Sequence, residues 1–298
     1  MRILITGANG FVGCYVAKYL LGKGHNVVAT GKGGCRLPFS NNIHFSYYDM
    51  DFTDAGSVKT VFEETLPEAI IHSGAISKPD ECELNKENAW NINVQGTINL
   101  LAEAEKLNIR FLFVSTDFVF DGERGMYTEE DIPKPVNYYG ETKLAAEKKV
   151  MAYSHLWAIV RTVLVYGKPL TGRDNLLTIV KRKLEKGEEY CVVSDQVRTP
   201  TYVEDLAQGI LSVIEEKAEG IFHISGEEVT TPYEMACKTA LMLGYDVSLI
   251  KEVTAENFSQ PARRPLKTGF NIGKAKSVLG YHPVSFGEGL RKTFREND

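Results

Sequence analysis

Short apolar runs alternate along this chain with longer stretches in which apolar residues return every three or four positions. The runs at 3–5, 26–30, 43–47, 69–72, 111–114 and 157–161 have the length and near-continuous apolarity of strands buried on both faces. Helical patterns lie between them: Val16, Ala17, Leu20 and Leu21, then Val58, Val61 and Phe62 behind an N-cap at Thr53 or Asp54. A long helix opens on Asp80-Glu81-Cys82-Glu83 and runs through Trp90 to Leu101, and another opens at Tyr139. The alternation predicts an α/β protein of Rossmann type, a doubly wound parallel sheet with helices on both faces. Beyond Gly167 the pattern is mixed: Asn175 opens a helix with Leu176, Leu177, Ile179 and Val180, residues 190–193 read as a strand, and 221–224 as a further strand of the main sheet. The expected division is a dinucleotide-binding domain over 1–165, rejoined by 219–226, with a smaller mixed α/β substrate lobe from 166–298. Asn93 and Gly96 interrupt a strong helical pattern, which asks for close packing or a side-chain hydrogen bond there.

The first run leads straight into Gly7-Ala8-Asn9-Gly10-Phe11-Val12-Gly13 and then a helix. Glycines let the backbone turn sharply and approach a pyrophosphate, whose charge the free N–H groups of a helix start can meet. The second run ends in Gly31-Lys32-Gly33-Gly34, without the acid that holds ribose hydroxyls about 20 residues past the glycines in an NAD site. Lys32 can instead meet a 2′-phosphate, favouring NADP(H) with NAD(H) as the alternative, or it is a solvated loop lysine. Asp51 and Phe52 can cap an adenine, or belong structurally to the start of the next helix. Ser73, Gly74 and Ala75 are small enough to let a ligand reach the backbone.

Composition narrows the class. At 298 residues, the chain can bury a substantial core, and a net charge of -5 argues against a protein built to hold nucleic acid. Five scattered cysteines show no metal-ligand spacing and fit a reducing cytoplasm. The amino end enters a strand pattern rather than a signal peptide, and no apolar run approaches the roughly 20 residues of a membrane span.

The chemistry concentrates between 115 and 143. The fifth run delivers Ser115-Thr116-Asp117 to its carboxyl end, where ligands of such sheets gather. Tyr139 and Lys143 share a helix face, so an ammonium can bias a phenol whose ordinary pKa is near 10. His223, within a strand, reads as a core histidine.

The glycine spacing, Asn93, Ser115-Thr116-Asp117-Phe118-Val119-Phe120-Asp121-Gly122 and Tyr139-x-x-x-Lys143 together resemble the extended short-chain dehydrogenase/reductase family, most of all the dTDP-4-dehydrorhamnose reductase group. Later stretches share the resemblance, which covers essentially the whole chain: Arg161-Thr162 through Val165-Tyr166-Gly167, Asp195-Gln196 with Pro200-Thr201, Asp205-Leu206-Ala207 and Arg264-Pro265. The resemblance implies NAD(P)H-dependent reduction of a nucleotide-linked 4-keto sugar. Tyr139 would donate the proton, Lys143 would lower the phenol's pKa and hold the nicotinamide ribose, and Thr116 would hydrogen-bond the substrate oxygen. Asn93 would steady the active-site helix or a water, and Ile76 and Val114 join the implied cofactor contacts. Phe118 stands where dehydratases of the family carry a glutamate, which disfavours water elimination. Asp117 binds sugar hydroxyls or satisfies backbone donors at the strand end. Asn175, Arg198 and Arg264 complete the implied substrate site, each arginine being either a diphosphate ligand or an ordinary salt-bridge residue. Leu164 replaces a tryptophan typical of the group and leaves the sugar unnamed. The alternatives are a nucleotide-sugar epimerase with retained NAD, and a non-catalytic subunit that binds cofactor and a partner protein; the resemblance also leaves room for a homodimer.

Overall fold

The computed structural model describes residues 1–171, 174–257 and 260–295. Strands β1 (Arg2–Thr6), β2 (Asn26–Gly31), β3 (Phe45–Asp49), β4 (Ala69–His72), β5 (Arg110–Thr116) and β6 (Trp157–Thr162) form one parallel sheet. After β7 (Val165–Tyr166), β8 (Tyr190–Val193) and β9 (Thr201–Tyr202), strand β10 (Gly220–His223) returns to pair in parallel with β6, giving seven strands in the order β3-β2-β1-β4-β5-β6-β10. Outside the main sheet β7 pairs with β9, and β8 with β11 (Ile250–Val253).

Alternation along each strand explains why the apolar runs are nearly continuous, because successive side chains enter different layers. Ile3, Ile5, Leu112 and Val160 pack beneath α1 (Phe11–Gly22) and α8 (Val203–Glu215), whereas Leu4, Ile70, Phe111, Phe113 and Ile159 pack beneath α2 (Ala55–Thr65), α5 (Gly96–Leu107) and α6 (Tyr138–Met151). Two short helices, α3 (Pro79–Leu84) and α4 (Lys86–Trp90), precede α5; α7 (Leu176–Glu185) and α9 (Pro232–Leu243) cover β8 and β11 around a separate cluster of Val180, Leu184, Val192, Ala236, Ala240 and Ile250. Helices α10 (Gly273–Leu279) and α11 (Phe286–Phe294) follow.

Two elements depart from the sequence expectation. The third strand lies two residues later than its apolar run, because Asn42 forms a turn, accepting from the His44 N–H and, through its carbonyl, from Phe45; Ile43 is left 92% exposed. The long helix through Leu101 is divided: Asn85 leaves the helical conformation between α3 and α4, and a π-helical turn at Asn91–Gln95 separates α4 from α5. Asp54, one of the two expected caps, accepts from the Gly56 N–H at the start of α2. Among the described residues, no helix is long and apolar enough to cross a membrane, and no cluster of His, Cys, Asp or Glu could hold a metal ion.

Candidate active site

The chain reverses its direction of progress across the sheet between β1 and β4, and the glycine turn sits at that junction. Gly7 has a positive φ of 66°, and a Cβ built there would lie 2.7 Å from the Gly74 Cα. A Cβ on Gly13 would overlap the Gly7 carbonyl, and one on Gly74 would lie 2.6 Å from the Phe52 ring. Glycine is therefore required for the turn and the loop after β4 to meet. Gly10 occupies the N-cap of α1 without a side-chain cap, leaving first-turn N–H groups directed outward, with Phe11 and Val12 in that turn. This cradle and donor set fit a dinucleotide. Asn9 secures its border: Oδ1 accepts from the Arg36 N–H at 2.9 Å, and Nδ2 donates to the Gly34 carbonyl and the Tyr47 hydroxyl.

Lys32 is paired with Asp51 at 2.6 Å, and the other Asp51 oxygen accepts from the Thr53 N–H and hydroxyl. Desolvation would raise the Asp51 carboxyl, but Lys32 and Thr53 outweigh it and hold it below the ordinary range. Thus Asp51 is engaged by Lys32 and Thr53, and Lys32, with its side chain 66% exposed, lies beside it just past the carboxyl end of β2. Phe52 is wedged against Gly74 and Gly96 and meets His72 edge-on at 5.3 Å, so its observed role is packing.

A hydrogen-bond chain runs from this cradle toward α6. The Gly74 N–H donates to the Thr6 hydroxyl, which meets His72 Nδ1 at 2.6 Å; His72 Nε2 meets the Thr97 hydroxyl, which donates to the Asn93 carbonyl. Since Thr97 spends its proton on Asn93, His72 carries hydrogen on Nε2, and burial holds its pKa well below the histidine range. The Asn93 side chain accepts from the Ile76 N–H and donates to the Ile76 carbonyl and the Thr142 hydroxyl. It steadies α6 directly, the first of its two expected roles, and thereby fixes the loop containing Ala75 and Ile76.

Helix α6 starts at an Asn137 cap that accepts from the Gly140 N–H at 2.9 Å. A Cβ on Gly140 would overlap the Phe118 carbonyl, so this glycine lets the first turn of α6 rest on the segment after β5. Tyr139 is consequently buried with its ring 5.7 Å from that of Phe118. Lys143, one turn later, donates to the Val114 carbonyl at 2.8 Å and lies 3.9 Å over the Phe113 ring. Burial lowers its pKa to about 7, against the upward pull of Glu147 and Cys82. Thr116, at the end of β5, donates to Asp117 and accepts from the Phe118 N–H. The residues expected to be catalytic are thus brought together by β5 and α6.

The expected substrate residues are used differently. Asp117 is buried and receives hydrogen bonds from Thr116 and Thr268 with Arg198 Nε at 3.8 Å; burial pushes its carboxyl up, opposed by Arg198 and the hydroxyls. Arg198 is enclosed as well, donating to the carbonyls of Val197, Pro265 and Leu266 and to Gln196. Arg264 forms a bidentate pair with Asp80 at 2.5 and 2.6 Å. Arg198 thus spends its guanidinium within the protein, and Arg264 directs Nη1 and Nη2 to Asp80 and the Ala262 carbonyl, the salt-bridge alternative for each. Asn175 caps α7 by accepting from the Leu177 N–H and ties it to the Gly167 carbonyl. Leu164 is held at φ 31°, between β6 and β7. His223 is a core histidine, stacked on Phe270 and driven by burial to a pKa of about 3.

Sequence reasoning missed Thr142, Thr268, Asp80, Gly140 and the buried Glu147–Arg161 pair. Glu147 carried a usable signal, standing one further turn along the Tyr139–Lys143 face. A cleft of about 540 Å³, lined in part by Arg110, Tyr153, His155, Trp157 and Glu219, opens at the other ends of the strands, away from all of this chemistry.

The RmlD substrate binding domain model matches residues 1–298. The chain is 33% identical over 298 residues to methionine adenosyltransferase 2 subunit beta of Xenopus tropicalis, covering 98% of this chain and 86% of that protein. Among solved structures, dTDP-4-dehydrorhamnose reductase of Bacillus anthracis, in complex with NADP, is 30% identical with a TM-score of 0.85 and 98% of each chain covered. The dTDP-glucose 4,6-dehydratase DesIV of Streptomyces venezuelae, with NAD bound, is 27% identical with a TM-score of 0.87, over 98% of this chain and 95% of that one. Of these two solved structures, the first holds NADP and the second NAD.

Proposed function

Because the chain belongs to the RmlD substrate binding domain family, we propose that it is an NADPH-preferring reductase of a nucleotide-linked 4-keto sugar. The observation that carries this reading is the convergence of Tyr139, Lys143 and Thr116 at the carboxyl end of β5, beside the glycine cradle. When bound, the reduced nicotinamide supplies the hydride. The cradle and the first turn of α1 would hold its diphosphate, Lys32 would exchange Asp51 for a 2′-phosphate, and Lys143 would meet the ribose. Tyr139 donates its phenolic proton to the oxygen of the reduced carbonyl, and the Lys143 ammonium stabilises the phenolate that remains. Phe118 offers no second carboxyl for water elimination, which supports reduction over dehydration.

A panel of nucleotide-linked 4-keto sugars with NADPH tests the proposal. Turnover by the wild type and its loss by about 10²–10⁴-fold in Tyr139→Phe is the expected result. Tight NADPH binding without turnover on any member would sink it. The second reading is a regulatory subunit that keeps the cofactor site but serves a partner protein. It is supported by the likeness to methionine adenosyltransferase 2 subunit beta, and it predicts that adding such a catalytic partner gives a stable complex and that Tyr139→Phe leaves complex formation unchanged.

A further inference from the structure

The cleft at the amino ends of β4, β5, β6 and β10 has a volume of about 540 Å³, within the range of small-molecule sites. Its buried cation is Arg110, the first residue of β5, which is 8% exposed. The guanidinium donates through Nη1 to the Ile214 carbonyl in the last turn of α8, a favourable place for a cation. Its commitments end there. Among the described residues it has no carboxylate partner, and its Nε is buried with no acceptor. Burial lowers its pKa with no anion pulling the other way. A buried charged donor left unmade is costly, so the position asks for an acceptor that the described chain does not provide.

Two carboxylates share the cleft without neutralising that charge. Glu68 and Glu219, both exposed, stand just before β4 and β10, and neither is ion-paired with Arg110. One Glu68 oxygen accepts from the Arg2 N–H; Glu219 has no partner among the described residues. The walls are apolar at Leu156, Trp157 and the ring of Tyr153, whose hydroxyl is spent on the Ile109 carbonyl at 2.6 Å. A purely anionic ligand would meet Arg110 but face both glutamates, and a purely cationic one would leave Arg110 unmet. A ligand bearing both charges answers both.

We propose that this cleft binds a small zwitterion of the amino-acid type, its carboxylate taken by the Arg110 guanidinium, its ammonium facing Glu68 and Glu219, and its apolar side chain against Leu156 and Trp157. The planar fork of an arginine matches a carboxylate, and the bound anion supplies the acceptor that Nε lacks. Arg110 begins the strand that Thr116 ends, so the site is separate from the Tyr139 chemistry and does not rest on the reductase reading.

Titration calorimetry on the full chain tests this with L-phenylalanine and L-leucine. Each is compared with the acid that lacks its amino group (3-phenylpropionate, 4-methylpentanoate) and the amine that lacks its carboxylate (phenethylamine, isopentylamine). At least one amino acid is expected to bind with a Kd of about 1 mM or tighter, and its acid and amine at least about tenfold more weakly, the factor for one charge-assisted hydrogen bond. Arg110→Lys, which keeps the charge but loses the fork, weakens binding by about tenfold. The double variant Glu68→Gln with Glu219→Gln removes the advantage of the amino acid over its acid. Thermal melts establish that each variant folds, and the exposed glutamate positions decide the matter if Arg110→Lys does not. No binding of either amino acid at about 10 mM overturns the inference, as does an acid or amine within about threefold of its amino acid. So does a preference that the double glutamine variant leaves unchanged. NADPH oxidation is no part of this readout, so failure here leaves the reductase reading standing.

Discussion

Lys143 holds charge where burial opposes it. Its ammonium has the Val114 carbonyl and the Phe113 ring for company, and its pKa falls to about 7 from 10.5. Since the folded value lies below the unfolded one, the unfolded chain binds the proton more tightly, and this residue costs stability at neutral pH that returns as pH rises through the interval between them. Lys143→Met is therefore expected to raise stability by about 1–3 kcal/mol at pH 7, read from urea denaturation, while removing most turnover. The profile of kcat/KM for NADPH oxidation should bend downward above about pH 7, where the ammonium is lost. That Tyr139 and Lys143 share one face of α6 was legible because spacing along one helix is a local property. The commitments of Asp117, Arg198 and Arg264 were not, because their partners Thr268, Pro265 and Asp80 lie far away in sequence.

The segment from Asn91 to Leu107 shows what an unfavourable residue can disclose about an element. Asn93 and Gly96 contradict helix propensity, and each has a reason: three hydrogen bonds from the Asn93 side chain, and the Phe52 ring packed where a Gly96 side chain would be. Their presence was visible in the sequence, but the π turn was not, since one-residue widening leaves the apolar pattern nearly unchanged. Asn93→Ala should cost about 1–3 kcal/mol by denaturant titration, because the Ile76 backbone groups lose buried partners. Gly96→Ala should cost a similar ~1–3 kcal/mol through overpacking, and Phe52→Leu in the same chain should recover part of it. Conversely, the third strand was misplaced by Ile43, an apolar residue that a turn at Asn42 carries outward.

Across the molecule, the parallel sheet was legible because six apolar runs and their intervening helices repeat one motif, whereas what binds its layers was not. Arg161 of β6 pairs bidentately with Glu147 of α6, at 3.0 and 2.7 Å, and approaches His223 of β10, all of them buried. Arg161→Met and Glu147→Gln should each cost about 3–5 kcal/mol, and the double variant less than their sum, in a denaturation cycle. His223, with a folded pKa of about 3 against 6.5, contributes stability that is complete above pH 6.5 and is lost as pH falls toward 3; urea midpoints should decline over that interval. The seven strands all run one way, from Arg2 at one end to Thr116 at the other, so the molecule has a blunt end and a working end. A surface tether attached at Met1 would hold the protein by the blunt end and leave the mouth of the site facing solution, giving sensor chips and immobilised reactors a natural orientation.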